Sequence, residues 1–164
     1  MSVSHRVGSD HQLARLLQIG IVLEEVVEAR AHHHYQSLDS ESDLDPEIEA
    51  LLADAAEESA THRKRLEDLI ADLDAESIPF EDIEALVEAQ YAQTKPEDFD
   101  GVLYDQLCNE ETAYKFYDDL VSAIEASDAR FSVDRDRLLD VLRSIREEEA
   151  EGVEEVATIM EERD

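Results

Sequence analysis

Apolar residues recur every three or four positions along four long stretches of this 164-residue chain, and its four glycines and three prolines hardly interrupt them. That period puts the apolar side chains on one stripe of an α-helix. No segment alternates with the period of two that a half-buried strand needs. Residues 1–9 read as a flexible N-terminal tail. The first helix is expected from Ser9 or Asp10 to Leu38, followed by a polar loop over 39–45. Asp45 and Pro46 read as the N-cap and first turn of a second helix that continues to Leu73. A longer connection from Ala75 to Lys95 carries Pro79 and a short helix predicted near 80–92. Pro96 opens a third helix ending near Ala126, and Ser132 is the expected N-cap of a fourth ending near Glu162. Two short loops and one long crossover make two helical hairpins. The expected fold is all-α, an antiparallel four-helix bundle over residues 10–162.

The hairpins repeat each other. Leu17, Ile21, Glu24, Glu28, Ala31, Tyr35 and Leu38 map at a constant offset of 82 onto Phe99, Leu103, Gln106, Glu110, Ala113, Tyr117 and Leu120. At an offset of 90, Glu58, Ser59 and His62 map onto Glu148, Glu149 and Gly152. Any two amphipathic helices can align their leucines and isoleucines. That does not account for E-x-x-A-x-x-x-Y appearing twice on an apolar face.

With 44 acidic residues, a glutamate means something only by its position. Glu28, Glu58, Glu110 and Glu148 each interrupt the apolar stripe of their own helix. Burying an unpaired carboxylate costs several kcal/mol. Residues equidistant from a hairpin turn lie at one height. Glu28 and Glu58 straddle the 39–45 loop evenly, as Glu110 and Glu148 straddle the 127–131 loop. Docked hairpins would then gather four carboxylates inside the bundle, which is tolerable if cations or protons neutralise them. His62 lies one turn from Glu58 on the same face. A neutral imidazole among carboxylates suits iron, manganese or zinc.

These residues resemble the ferritin-like diiron-carboxylate superfamily, ferritins and rubrerythrins in particular. There, the first helix carries E-x-x-A-x-x-x-Y with the glutamate as a metal ligand, matched by Glu28, Ala31 and Tyr35 and repeated by Glu110, Ala113 and Tyr117. The family's second helix carries E-x-x-H, and His62-Arg-Lys-Arg-Leu66 resembles the rubrerythrin continuation. The resemblance implies two iron ions, with manganese or mixed metals as alternatives. Its implied ligands are Glu28, Glu58, His62, Glu110 and either Glu148 or Glu149. Glu24, His32, Tyr35, Gln106 and Tyr117 are candidates for extra ligands or for outer partners of the ligands. The chain departs from the family at two places. Ser59 stands three before His62, with Glu58 four before, and Gly152 stands where a second histidine would repeat His62.

The implied function is the handling of Fe(II), O2 or peroxide, as a ferroxidase or a rubrerythrin-like peroxidase and thus an oxidoreductase. The alternatives are a non-catalytic, structural or metal-sequestering bundle, or a manganese catalase-like enzyme. The single cysteine rules out a built-in rubredoxin site, so peroxidase turnover would need a separate electron donor. The sequence leaves room for a homo-oligomer.

A net charge of −30 argues against nucleic acid as a partner. No stretch has the ~18–20 apolar residues of a membrane span, and the N-terminal residues lack the apolar core of a secretion signal. Only three of the 14 basic residues are lysine. This balance reads as the cytoplasm of a salt-in halophile, where molar salt shortens the Debye length to ~3 Å and screens self-repulsion. The melting temperature is expected to fall as KCl is lowered from molar to ~0.1 M; a flat response in thermal scans would remove the halophile reading.

Overall fold

A computed structural model describes residues 7–39, 46–74 and 99–162, with the backbone alone over 30–39, 99–102, 104 and 105. Four helices make up nearly all of it: α1 (Asp10–Asp39), α2 (Pro46–Ala71), α3 (Phe99–Glu125) and α4 (Arg135–Glu162). No strand occurs among the described residues. The short helix predicted near 80–92 and the first six residues of the expected tail lie outside them.

Local hydrogen bonds set the helix starts. Ser9 caps α1: its hydroxyl oxygen accepts the Gln12 N–H at 3.2 Å and its carbonyl accepts the Leu13 N–H at 3.0 Å. α4 starts later than expected because Asp134, not Ser132, is its cap. The Asp134 carboxylate accepts the Arg137 N–H at 3.2 Å, and its carbonyl accepts the Leu138 N–H at 2.9 Å. Ser132 is drawn elsewhere, its N–H and its hydroxyl both donating to the Asp10 carboxylate. The last residues of the expected tail are docked: Val7 is buried, and its carbonyl accepts the Ser127 hydroxyl at 2.6 Å.

These contacts fix the topology. α1 packs along α2 and α3 along α4, and the hairpins meet through α1 against α3 and α2 against α4. Asp10 accepts hydrogen bonds from Asp74 just after α2 and from Ser132 just before α4, and Val7 meets Ser127 just after α3. One end of the bundle thus gathers the start of α1, the ends of α2 and α3, and the start of α4. Leu103 in the first turns of α3 packs at the other end, with Ile48, Leu52, Val156 and Ile159. α2 therefore ends and α3 begins at opposite ends, which is the single-crossover connectivity expected.

Among the described residues the buried apolar side chains form two clusters. The larger contains Leu13, Leu17, Ile21, Leu66, Tyr117, Leu120, Ile124, Leu138, Leu142 and Ile145 at the Asp10 end. The smaller contains Ile48, Leu51, Leu52, Ala56, Leu103, Val156 and Ile159. Between the two clusters each helix carries buried polar residues: Glu24 on α1, Ser59 and His62 on α2, Gln106 and Glu110 on α3, Glu149 on α4. α1 comes close to its neighbours just below this layer. A Cβ at Gly20 would stand only 3.2 Å from the side chains of Leu66 and Phe116.

Asp10 ties three chain segments at one end. Burial pushes its carboxyl up, but the hydrogen bonds from Ser132 and Asp74 outweigh this and hold it below the ordinary carboxylate range. Asp10→Ala is expected to cost ~1 kcal/mol in urea denaturation at neutral pH without loss of helicity. A depressed carboxylate stabilises above its unfolded pKa, so the penalty should shrink as pH falls below ~4.

Candidate metal centre

The polar layer is built around His62. It is fully buried, and its two ring nitrogens face different sets of carboxylates. Nδ1 lies 3.3 Å from Glu24 Oε1 and 3.1 Å from Glu149 Oε1, both deeply buried. Nε2 lies 3.3 Å from Glu148 Oε2 and 3.8 Å from Glu58 Oε1, and the side chains of Glu148 and Glu58 are 41% and 38% exposed. The inner side is dry and the outer side is open to solvent. Tyr117, also fully buried, donates its hydroxyl to Glu24 Oε1 at 2.7 Å. Gln106 donates its amide to Glu110 Oε1 at 2.9 Å, and Glu110 in turn shares a hydrogen bond with Glu149.

The electrostatics follow from this packing. Burial alone would lower the His62 pKa, but the hydrogen bond its ring donates to Glu24 and the charges of Glu24, Glu58 and Glu148 outweigh it, and the pKa is raised. Acceptors at both nitrogens favour the charged, doubly protonated imidazole more than water does. Burial, then the charge of Glu24 and the contact with Glu110, push Glu149 far up. Glu149 therefore keeps its proton and donates it to Glu110, whose own carboxyl is raised chiefly by burial. Burial also pushes the Tyr117 hydroxyl well up, with Glu24 adding to it, so it remains a donor.

Glu24, His62 and Glu149 each offer one ligand atom within 4.8 Å of the other two. That spacing suits a single cation held by bonds of ~2.0–2.2 Å. Glu24 Oε2 is buried with no hydrogen-bond partner. A carboxylate oxygen left so in a dry interior is costly unless a cation or a proton meets it. The nitrogen-and-oxygen donor set fits iron or manganese.

The sequence-derived residues are placed unequally. His62, Glu110 and Glu149 come together in the layer, with Glu58 and Glu148 at its solvent edge. Glu148 and Glu149, indistinguishable in the sequence, separate onto opposite nitrogens of His62. Glu28 stands apart: its carboxylate accepts from Arg63 Nη1 at 2.8 Å, and Glu24, one turn earlier, is the buried carboxylate of α1. The expected interior quartet of Glu28, Glu58, Glu110 and Glu148 is therefore replaced by Glu24, Glu110 and Glu149 around an imidazole. The side chains of His32 and Tyr35 lie outside the described residues. Sequence reasoning missed the arginines. Arg63 holds Glu28, and Arg65 Nη1 donates to Glu148 Oε2 at 3.1 Å. Their positions one and three residues after His62 were the available signal.

Glu58 supplies a pH test. Burial foremost raises its pKa from 4.5 to about 7, with Glu110, Glu148 and Glu24 adding to the rise and His62 opposing it. Between those values the folded chain holds a proton that the unfolded chain has lost, so stability falls as pH rises. Metal-free Glu58→Gln should match the unsubstituted protein at pH 4.5 and exceed it at pH 8 in chemical denaturation with chelator present. Equal stability at pH 8 would show that Glu58 ionises freely at the rim.

Comparison with known proteins agrees with the geometry. The family model described as Rubrerythrin matches residues 26–135, more than half of the chain. The matched span contains Glu28, Glu58, His62 and Glu110, whereas Glu24, Glu148 and Glu149 fall outside it. No curated protein and no solved structure matched. A four-helix bundle with the single long crossover, a buried glutamate–histidine cluster and this match agree: the chain belongs to the rubrerythrin family, within the ferritin-like diiron-carboxylate superfamily.

Proposed function

We propose that the polar layer holds two metal ions, iron in the first instance, and that the protein uses them to process Fe(II) with O2 or peroxide. The observation that carries this reading is the convergence of Glu24, His62 and Glu149 in the dry interior, with Glu24 Oε2 lacking any hydrogen-bond partner. Glu24, His62 and Glu149 would hold the inner ion. Glu110 lies beside it, and Glu58 and Glu148 offer oxygens on the solvent side. When bound, an iron pair supplies one-electron steps between its ferrous and ferric states.

The chain's own residues do the rest. Tyr117 fixes the orientation of Glu24 through its 2.7 Å hydrogen bond. Gln106 does the same for Glu110. Glu149 carries a proton and the raised His62 pKa favours a second one, so metal uptake should release protons. The outer carboxylates give solvent-borne ions a path to His62. Arg65 competes for Glu148, and Arg63 keeps Glu28 occupied. Those two guanidinium contacts favour a second reading, metal sequestration without turnover.

Anaerobic Fe(II) titration in weak buffer, followed by air, separates the readings. Stoichiometric binding with proton release, then oxidation to Fe(III) seen in near-ultraviolet absorption, is the expected result. Binding without accelerated oxidation supports sequestration, and absence of binding removes both. His62→Ala should weaken the tightest binding step by at least ~100-fold, since changing even an outer partner of a ligand typically costs 10–100-fold.

A further inference from the structure

Gly152 occupies the interior of α4, where glycine is a poor helix former. It is also the position that repeats His62. The structure gives a reason for the missing side chain. A Cβ built there would lie 2.7 Å from Glu110 Oε2, 2.8 Å from its Cδ and 3.2 Å from its Oε1. Real Cβ atoms do not approach heavy atoms to less than 3.0 Å, so the carboxyl group of Glu110 fills the place that a side chain at 152 would take. The carboxyl group is the far end of a flexible side chain, so what a shift costs depends on the contacts that hold it. It is buried, accepts from Gln106 on one side and meets Glu149 on the other.

We propose that Gly152 is a positioning residue for the metal centre: by carrying no side chain it admits the Glu110 carboxylate of α3 against α4, so that an oxygen donor stands where the repeat would place a second imidazole. This inference rests on the metal-centre reading above. The centre then has an imidazole from α2 and carboxylates from the other three helices, an oxygen-rich set suited to iron or manganese over softer metals. Restoring a histidine at 152 would not complete a symmetric site, because it would expel Glu110.

The first test needs no metal. In metal-free protein, Gly152→Ala should lower the melting temperature, since the new methyl group displaces a held carboxylate. In the Glu110→Ala background the same substitution should raise it by about 2–4 °C, because only the helix-propensity gain remains. The same sign in both backgrounds would overturn the contact. The second test is anaerobic Fe(II) titration. Gly152→Ala should bind at least tenfold more weakly with unchanged helicity, and Gly152→Ala with Glu110→Asp, whose side chain is one methylene shorter, should bind more tightly than Gly152→Ala alone. Unchanged Fe(II) affinity in Gly152→Ala would overturn the positioning role while leaving the metal centre standing. Failure of the unsubstituted protein to bind Fe(II) would overturn the metal-centre reading and the positioning role together, while the melting comparison would still establish or reject the Gly152–Glu110 contact.

Discussion

The bundle is organised around one costly arrangement: an imidazole enclosed by carboxylates from all four helices. A lone buried charge of either sign would be strongly unfavourable. Here the surrounding carboxylates raise the His62 pKa and so favour a positive charge on its ring, Tyr117 and Gln106 provide hydrogen bonds, and Glu149 keeps a proton that it donates to Glu110. Each device removes part of the repulsion. Glu24 Oε2 and Gln106 Oε1 remain buried without partners. The layer is thus better satisfied than four bare carboxylates would be, yet it keeps acceptor atoms for a cation.

The fold was legible in the sequence because helix periodicity, proline placement and loop length all point the same way. The repeat pointed to polar interruptions of the apolar stripe on each helix, with Glu28 on α1 where the structure buries Glu24. It could not choose within a turn. Glu24 and His62 are as evenly placed about the 39–45 loop as Glu28 and Glu58, so the height rule admits both pairs. The choice depends on a cross-hairpin contact, Tyr117 on α3 donating to Glu24, which no pattern within one helix reports. The same holds for Glu148 and Glu149, adjacent residues whose side chains reach opposite nitrogens of His62. It holds for Gly152 too, which reads as a gap in the repeat and whose role is visible only once α3 is packed beside it.

The charge balance has different consequences inside and outside. On the surface, Arg143 pairs with Glu125 and Arg146 with Asp118, linking α4 to α3. Exposed pairs of this kind contribute little individually. Arg63 and Arg65 work at the rim, where Glu28 and Glu148 are partly shielded from water. Because guanidinium groups stay charged at any ordinary pH, those carboxylates have a counter-charge that does not depend on pH.

The polar layer also divides the molecule for folding. The apolar contacts fall into a large cluster at the Asp10 end and a small one formed by Ile48, Leu51, Leu52, Ala56, Leu103, Val156 and Ile159. Between the described clusters lie the buried polar side chains Glu24, Ser59, His62, Gln106, Glu110 and Glu149, and such a layer is a place where cooperative units of a fold can part. The four helices run through both units, but helical hydrogen bonds alone couple them weakly. A cation bound at the junction needs both units folded, and its binding energy then adds to the stability of each. A cation held there would be a joint between the two ends of the bundle.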